Sequence, residues 1–181
     1  MSFEEFNAGP LAQPIRHWEI PEGEYGQSIP NREFDHILTL GVQTCKAITL
    51  HTPDARFGLL AHLDGTTRSD EVLSNMLHSY PYPVSETDVS ILQATTSEYT
   101  RLWPDIESIA GFFMRHNPRS LRLDYNRGHG PIRGVALNLQ TGTVHSTGHR
   151  DPLLAKSVAY HRLGIPLSQS MSKKVSSKLS H

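Results

Sequence analysis

Apolar and polar positions recur along this chain in two rhythms, one of period two and one of helical period, and the switches between them mark the elements. Ile37-Leu38-Thr39-Leu40 is a short apolar run, and Cys45-Lys46-Ala47-Ile48-Thr49-Leu50 has the alternation and β-branching of a strand. These two runs are expected to be neighbours in one sheet. Thr52-Pro53-Asp54-Ala55-Arg56 is turn chemistry and Phe57-Gly58-Leu59-Leu60-Ala61-His62-Leu63 resumes as a strand, so residues 45 to 63 read as a β-hairpin whose two ends come together.

Beyond Asp64-Gly65-Thr66 the period changes. Ser69 can cap a helix whose apolar positions Val72, Leu73, Met76 and Leu77 recur at helical spacing, and Tyr80-Pro81-Tyr82-Pro83 stops it after about Ser79. Val89-Ser90-Ile91-Leu92 suggests a further strand. A helical stretch with Tyr99, Leu102, Ile106, Ile109 and Phe113 follows, broken or restarted at Pro104. Leu121-Arg122-Leu123 and Ile132 to Leu139 are strands, and Gln140-Thr141-Gly142-Thr143 turns the chain into a last short strand near Val144. The sum is mixed α and β, with no internal repeat.

The two ends read differently from the middle. Residues 1 to 34 carry Pro10, Pro14, Pro21 and Pro30, too punctuated for a long helix or a central strand, and predict an irregular wrapping arm. Residues 168 to 181 are mostly Ser and Lys with no acidic residue, which predicts a disordered tail because so little apolar surface cannot offset chain entropy. Between them, residues 35 to 167 are expected to form a single catalytic domain, a length that supports a real core.

Composition narrows the function classes. With 37% hydrophobic and 19% charged residues, no long apolar run and no basic start leading into one, the chain is expected to be soluble and not Sec-targeted, hence cytoplasmic or delivered by a signal-less secretion route. A net charge of -1 argues against nucleic acid or membranes as partners, since both need clustered Lys and Arg. Lys173, Lys174 and Lys178 make only a small basic run in the tail. The single cysteine rules out an internal disulfide and a Cys-rich metal site, and leaves a reactive thiol to weigh against an inert buried one. Eleven histidines invite a metal hypothesis, but no His-x3-His or His-Glu-x2-His occurs, and His145 with His149 spans a turn. No metal and no cofactor is therefore expected.

Thr39, Cys45 and His62 form the pattern Thr-x5-Cys-x16-His, with Cys45 at the start of the hairpin and His62 at the end of its return arm. Pairing of the arms can set thiol and imidazole side by side. An unassisted thiol, with pKa ~8.5, is only a few per cent thiolate at neutral pH, and a neighbouring imidazole raises that fraction. Such a pair attacks a carbonyl carbon; on a carboxamide, His62 would protonate the departing ammonia and then activate water to release the acid. Backbone amides near Cys45, for which Gly41 leaves room, would hold the oxyanion. Thr39 is a candidate to hold the imidazole or help bind the amide, and Asp64 to orient His62. Asn126-Arg127-Gly128-His129-Gly130 reads as a surface loop with a pocket border as the alternative. Against the whole constellation stands a plain reading, a buried cysteine in an apolar strand with a core histidine nearby.

Thr39-Leu40-Gly41-Val42-Gln43-Thr44-Cys45, followed by Gly58-Leu59-Leu60-Ala61-His62, resembles the active-site block of the chemoreceptor glutamine deamidase CheD family. Thr44-Cys45, His62-Leu63-Asp64-Gly65-Thr66 and Gly134-Val135-Ala136-Leu137-Asn138-Leu139 resemble the protein N-terminal asparagine amidohydrolase family more closely. The likeness implies an α+β fold of the type shared with the cytotoxic necrotizing factor catalytic domains, a β-sandwich core flanked by helices. It also implies a hydrolase that converts an Asn or Gln carboxamide of a protein or peptide to the acid with release of ammonia, N-terminal Asn slightly favoured. Catalytic roles then fall to Cys45, His62 and Thr39, and substrate-binding or orienting roles to Asp64, Thr44 and Gly41. If specificity carries over, the substrate's α-ammonium needs an acceptor, and Asp64, Glu22 or Glu24 can supply it. The alternatives are a bacterial effector or toxin that deamidates a Gln or Asn side chain of a target protein, and a binding module of the same fold with an unused cysteine.

Overall fold

In the computed structural model, the described residues are 3–42, 45–64, 69–93, 106–125, 133–148 and 150–167. In chain order they form β1 (Glu4–Glu5), β2 (Arg16–Ile20), β3 (Glu24–Ser28), β4 (His36–Val42), β5 (Lys46–Thr52), β6 (Phe57–Leu63), α1 (Ser69–Ser79), β7 (Asp88–Gln93) and α2 (Ile106–Arg115). Then come β8 (Ser120–Asp124), β9 (Arg133–Asn138), β10 (Val144–Gly148), α3 (Pro152–Ala155), β11 (Val158–Tyr160) and β12 (Ile165–Pro166). The chain is a mixed α+β protein, mostly sheet.

The strands make two sheets, one of seven strands in the order β1-β8-β7-β5-β6-β3-β12 and one of five in the order β10-β9-β4-β2-β11. Side chains alternate across a strand, and in β5 and β6 both faces are covered, which explains why these strands read as nearly continuous apolar runs. Ile48, Leu50, Leu59, Ala61 and Leu63 pack outward against Val72, Leu73 and Met76 of α1 and Ile109 and Phe113 of α2. Cys45, Ala47 and Leu60 pack inward against Trp18, Ile20, Ile37, Val135 and Leu137 of the other sheet. The layers are therefore α1 and α2, the seven-stranded sheet and the five-stranded sheet, with Leu153 and Leu154 of α3 against the far face of the last. Gly58 permits the close approach of the second pair of layers, since a Cβ there would lie 2.6 Å from Leu139 Cδ2 and 2.8 Å from Leu137 Cδ2.

Three expectations need correction. Residues 1 to 34 are not an irregular arm: β2 is an interior strand between β4 and β11, and β3 lies between β6 and β12. The prolines delimit these strands rather than interrupt them, β2 falling between Pro14 and Pro21 and β3 between Pro21 and Pro30. Second, β4 and β5 are not sheet neighbours. β4 pairs with β2 and β9, whereas β5 pairs with β6 and β7. Third, the strand near Val144 is not the last, because β11 adds in parallel to β2 and β12 pairs with β3. The tail 168–181, residues Tyr99 to Pro104 of the second helical stretch, and the loop Asn126–Gly130 lie outside the described residues.

Candidate active site

The register of the hairpin fixes which side chains can meet. Ala47 pairs with His62, and Cys45, two residues earlier on the chain, shares Ala47's face, so thiol and imidazole both point between the sheets. Both are buried, Cys45 at 5% exposure and His62 at 1%. Donor atoms of Cys45, His62 and Glu22 all lie within 4.8 Å of one another.

Thr39 reaches the same place from the opposite sheet. Its hydroxyl lies 2.7 Å from His62 Nδ1 and 3.0 Å from the Ile20 carbonyl oxygen, the residue beside it in the β2–β4 register. A hydroxyl carries one hydrogen, and the carbonyl can only accept, so Thr39 donates to Ile20 and accepts from His62 Nδ1–H. That leaves Nε2 as the nitrogen with the lone pair. Among the described residues Nε2 is buried without a hydrogen-bond partner. Burial pushes the His62 pKa below its ordinary value, while the carboxylates of Glu22 and Asp64 oppose the shift without reversing it. The ring is therefore neutral near pH 7 and able to take a proton.

Glu22 is the group that spacing did not bring forward as a neighbour of the sulfur. The turn Pro21-Glu22-Gly23 joins β2 to β3, and Gly23 N–H donates to the His62 carbonyl at 2.9 Å, which pins the turn over the hairpin end. From there the Glu22 carboxylate accepts a hydrogen bond from the Cys45 thiol at 3.1 Å. Glu22 is exposed while its two companions are buried, so it forms the solvent side of the cluster. A reader of the sequence alone has no signal for this, because it depends on residues 16 to 28 being two strands.

The remaining candidates fall as follows. Asp64 is half-buried and acts on His62 through charge; the imidazole's hydrogen-bond orienter is Thr39. Gly41 has φ +73°, at a register shift of the β4–β9 ladder between Thr39 and Val42. A Cβ there would meet nothing within 4 Å, so glycine is required by the left-handed backbone rather than by crowding. The bulge returns Val42 to the inter-sheet core after Leu40 has faced the other way. Thr44, Gly65 and Thr66 lie outside the described residues.

No family model matches the sequence. No curated protein matches it either. Among solved structures the chain is similar to the Neisseria meningitidis protein NMB0706, of the family model DUF152, with a TM-score of 0.44 and 8% identity over 62% of this chain. The match spans 63% of that protein, less than two thirds of its length.

Proposed function

We propose that this chain is a cysteine-dependent amidohydrolase with the deamidase type of sandwich, acting on a protein or peptide carboxamide. The observation that carries the reading is the buried Thr39–His62 hydrogen bond, which fixes the tautomer and leaves a basic, unpartnered Nε2 on a ring that shares the thiol's face and has a nitrogen within 4.8 Å of the sulfur. His62 Nε2 takes the Cys45 proton and the thiolate attacks the carboxamide carbon. The C–N bond then breaks as His62 returns the proton to the departing ammonia, leaving a thioester on Cys45. Water, deprotonated by His62, adds to the thioester; the C–S bond breaks, the acid leaves and the thiol is restored.

Glu22 supports an N-terminal asparagine as the preferred substrate. In an N-terminal Asn the α-ammonium lies three bonds from the carboxamide carbon, so a carboxylate already 3.1 Å from the attacking sulfur is within reach of that cation. The ammonium would replace the thiol hydrogen as Glu22's partner and release the sulfur toward His62. The test is incubation of Asn-starting peptides with the wild type and with Cys45→Ala, following ammonia and the mass gain of deamidation. Cys45→Ala is expected to lose at least ~1,000-fold, and retention of activity to within about tenfold would sink the mechanism.

A further inference from the structure

We infer that Glu22, Cys45 and His62 form a zinc site that competes with the nucleophile. One sulfur, one nitrogen and one oxygen donor stand within 4.8 Å of one another, and the three come from two different segments, the β2–β3 turn and the β5–β6 hairpin. The second, independent observation is the unpartnered Nε2 of His62, a buried lone pair that no described group satisfies. Its other ring nitrogen is held by Thr39, which is in turn held by the Ile20 carbonyl, the arrangement of a histidine oriented for a metal by its outer neighbours.

The donor set selects the ion. Thiolate and imidazole disfavour Mg²⁺ and Ca²⁺, which take oxygen ligands, and suit a borderline-soft cation such as Zn²⁺. Three protein ligands with a fourth position open to water is a common zinc arrangement. Tetrahedral coordination at ~2.0 to 2.3 Å per bond needs donors ~3.3 to 3.6 Å apart, so the widest pair has to close by up to about 1.5 Å. The Glu22–Cys45 edge, at 3.1 Å, already lies at that scale, and Glu22 on its exposed turn is the ligand able to adjust.

Binding balances as follows: the Cys45 S–H bond breaks, the proton passes to solvent, and the thiolate pair forms the Zn–S bond, with Nε2 and the ionised Glu22 carboxylate completing the protein ligands. One proton leaves per zinc. With zinc in place, both the nucleophile's electron pair and the base's lone pair are occupied. Inhibition of hydrolysis rests on the function proposed above; zinc binding itself does not.

The experiment is titration of chelator-treated full-length protein with Zn²⁺ against a chromophoric competitor, with Co²⁺ as a spectroscopic substitute. One zinc per chain is expected, with a near-ultraviolet thiolate-to-cobalt band. Cys45→Ser should abolish the band and weaken zinc at least ~100-fold, and Glu22→Gln, on an exposed turn, should weaken it at least about tenfold while the protein stays folded. Equal excesses of Mg²⁺ and Ca²⁺ should leave the signal unchanged. Absence of the cobalt band, or equal zinc affinity in wild type and both variants, would overturn the site and put any bound zinc on other histidines. In the activity arm, stoichiometric zinc should silence the wild type and a chelator restore it; full activity with zinc saturating would overturn the competition. Zinc binding as expected in a chain inactive on every amide would leave the site standing and sink the hydrolase reading alone.

Discussion

Replacing Thr39 with Val keeps the side chain's shape and removes a hydroxyl that ties the two sheets together at the candidate site. His62 Nδ1–H, at 2.7 Å, then loses its partner, and the Ile20 carbonyl loses the donor it has at 3.0 Å. Leaving a buried donor unsatisfied costs ~1 to 3 kcal/mol, which for a chain of this size lowers Tm by roughly 2 to 12 °C. The chemical effect is separate. A hydrogen bond of net worth ~0.5 to 1.5 kcal/mol no longer favours the Nδ1–H tautomer, so the ratio of the Nδ1–H to the Nε2–H form falls by about 2- to 13-fold. The assay is pseudo-first-order alkylation of Cys45 by iodoacetamide near neutral pH, with thermal unfolding measured on the same samples. Wild type should label fastest, Thr39→Ser should stay close to it, and Thr39→Val should be slower by at most the tautomer factor. Alkylation of Thr39→Val within about twofold of wild type, with its Tm unchanged, would refute the assignment of Thr39 as the positioning residue.

Three more predictions rest on other features. Acetylating the amino terminus of an Asn-starting peptide should lower kcat/KM at least about tenfold, because the Glu22 carboxylate loses its cation; equal rates on free and blocked peptides would reject the N-terminal preference in favour of side-chain deamidation of a target protein. Burial lowers the pKa of His17, His36 and His51, so each stays neutral in the fold while its unfolded counterpart takes a proton below ~6.5. Their contribution is therefore complete above that value and is lost as pH falls, with a slope of up to ~1.4 kcal/mol per pH unit per group; urea midpoints that fail to drop between about pH 7.5 and 5.5 would contradict it. Arg133, 1% exposed, meets Asp124 at 3.2 Å, and Arg133→Met should cost ~3 to 5 kcal/mol by stranding a buried carboxylate that also accepts from Ala8 N–H. Adding Asp124→Asn should recover part of that loss, and no recovery in a denaturant melt would mean the charge is not the cause.

What the sequence made legible was local. The hairpin of β5 and β6, α1, β7 and β8 follow from period-two and helical spacing bounded by Pro and Gly, because each is decided by residues a few positions apart. That Cys45 and His62 come together at the open end of the hairpin was legible for the same reason, since a hairpin's register follows from its turn. Sheet membership was not. The apolar run Ile37–Leu40 says that both of its faces are covered but not by what, so β4 reads equally well as a neighbour of β5 or, as it is, a strand of the facing layer. Nor was β2 visible behind Pro14 and Pro21, because only two residues separate Ile20 from Gly23 and the turn between them looks like more of the same punctuation. Missing β2 and β3 meant missing the position of Glu22 against the sulfur.

The first strand of the chain has a partner that is made very late. Glu4 and Glu5 pair with Arg122 and Leu123, and Gly9 bridges to His145 in the other sheet, so the opening residues link edge strands of both layers. On a ribosome β1 must wait for about 120 further residues, roughly 6 to 24 s at ~5 to 20 residues per second, before either edge exists. Glu22, Thr39, Cys45 and His62 are all synthesised within the first 64 positions, long before β9 arrives to pair with β4. During that interval the thiol faces only β2 and β4 of the second sheet, without β9, β10 or β11, and is less covered against oxidants than in the finished fold. A translation-rate or chaperone defect would accordingly first show as sulfenylated Cys45 in otherwise full-length chains.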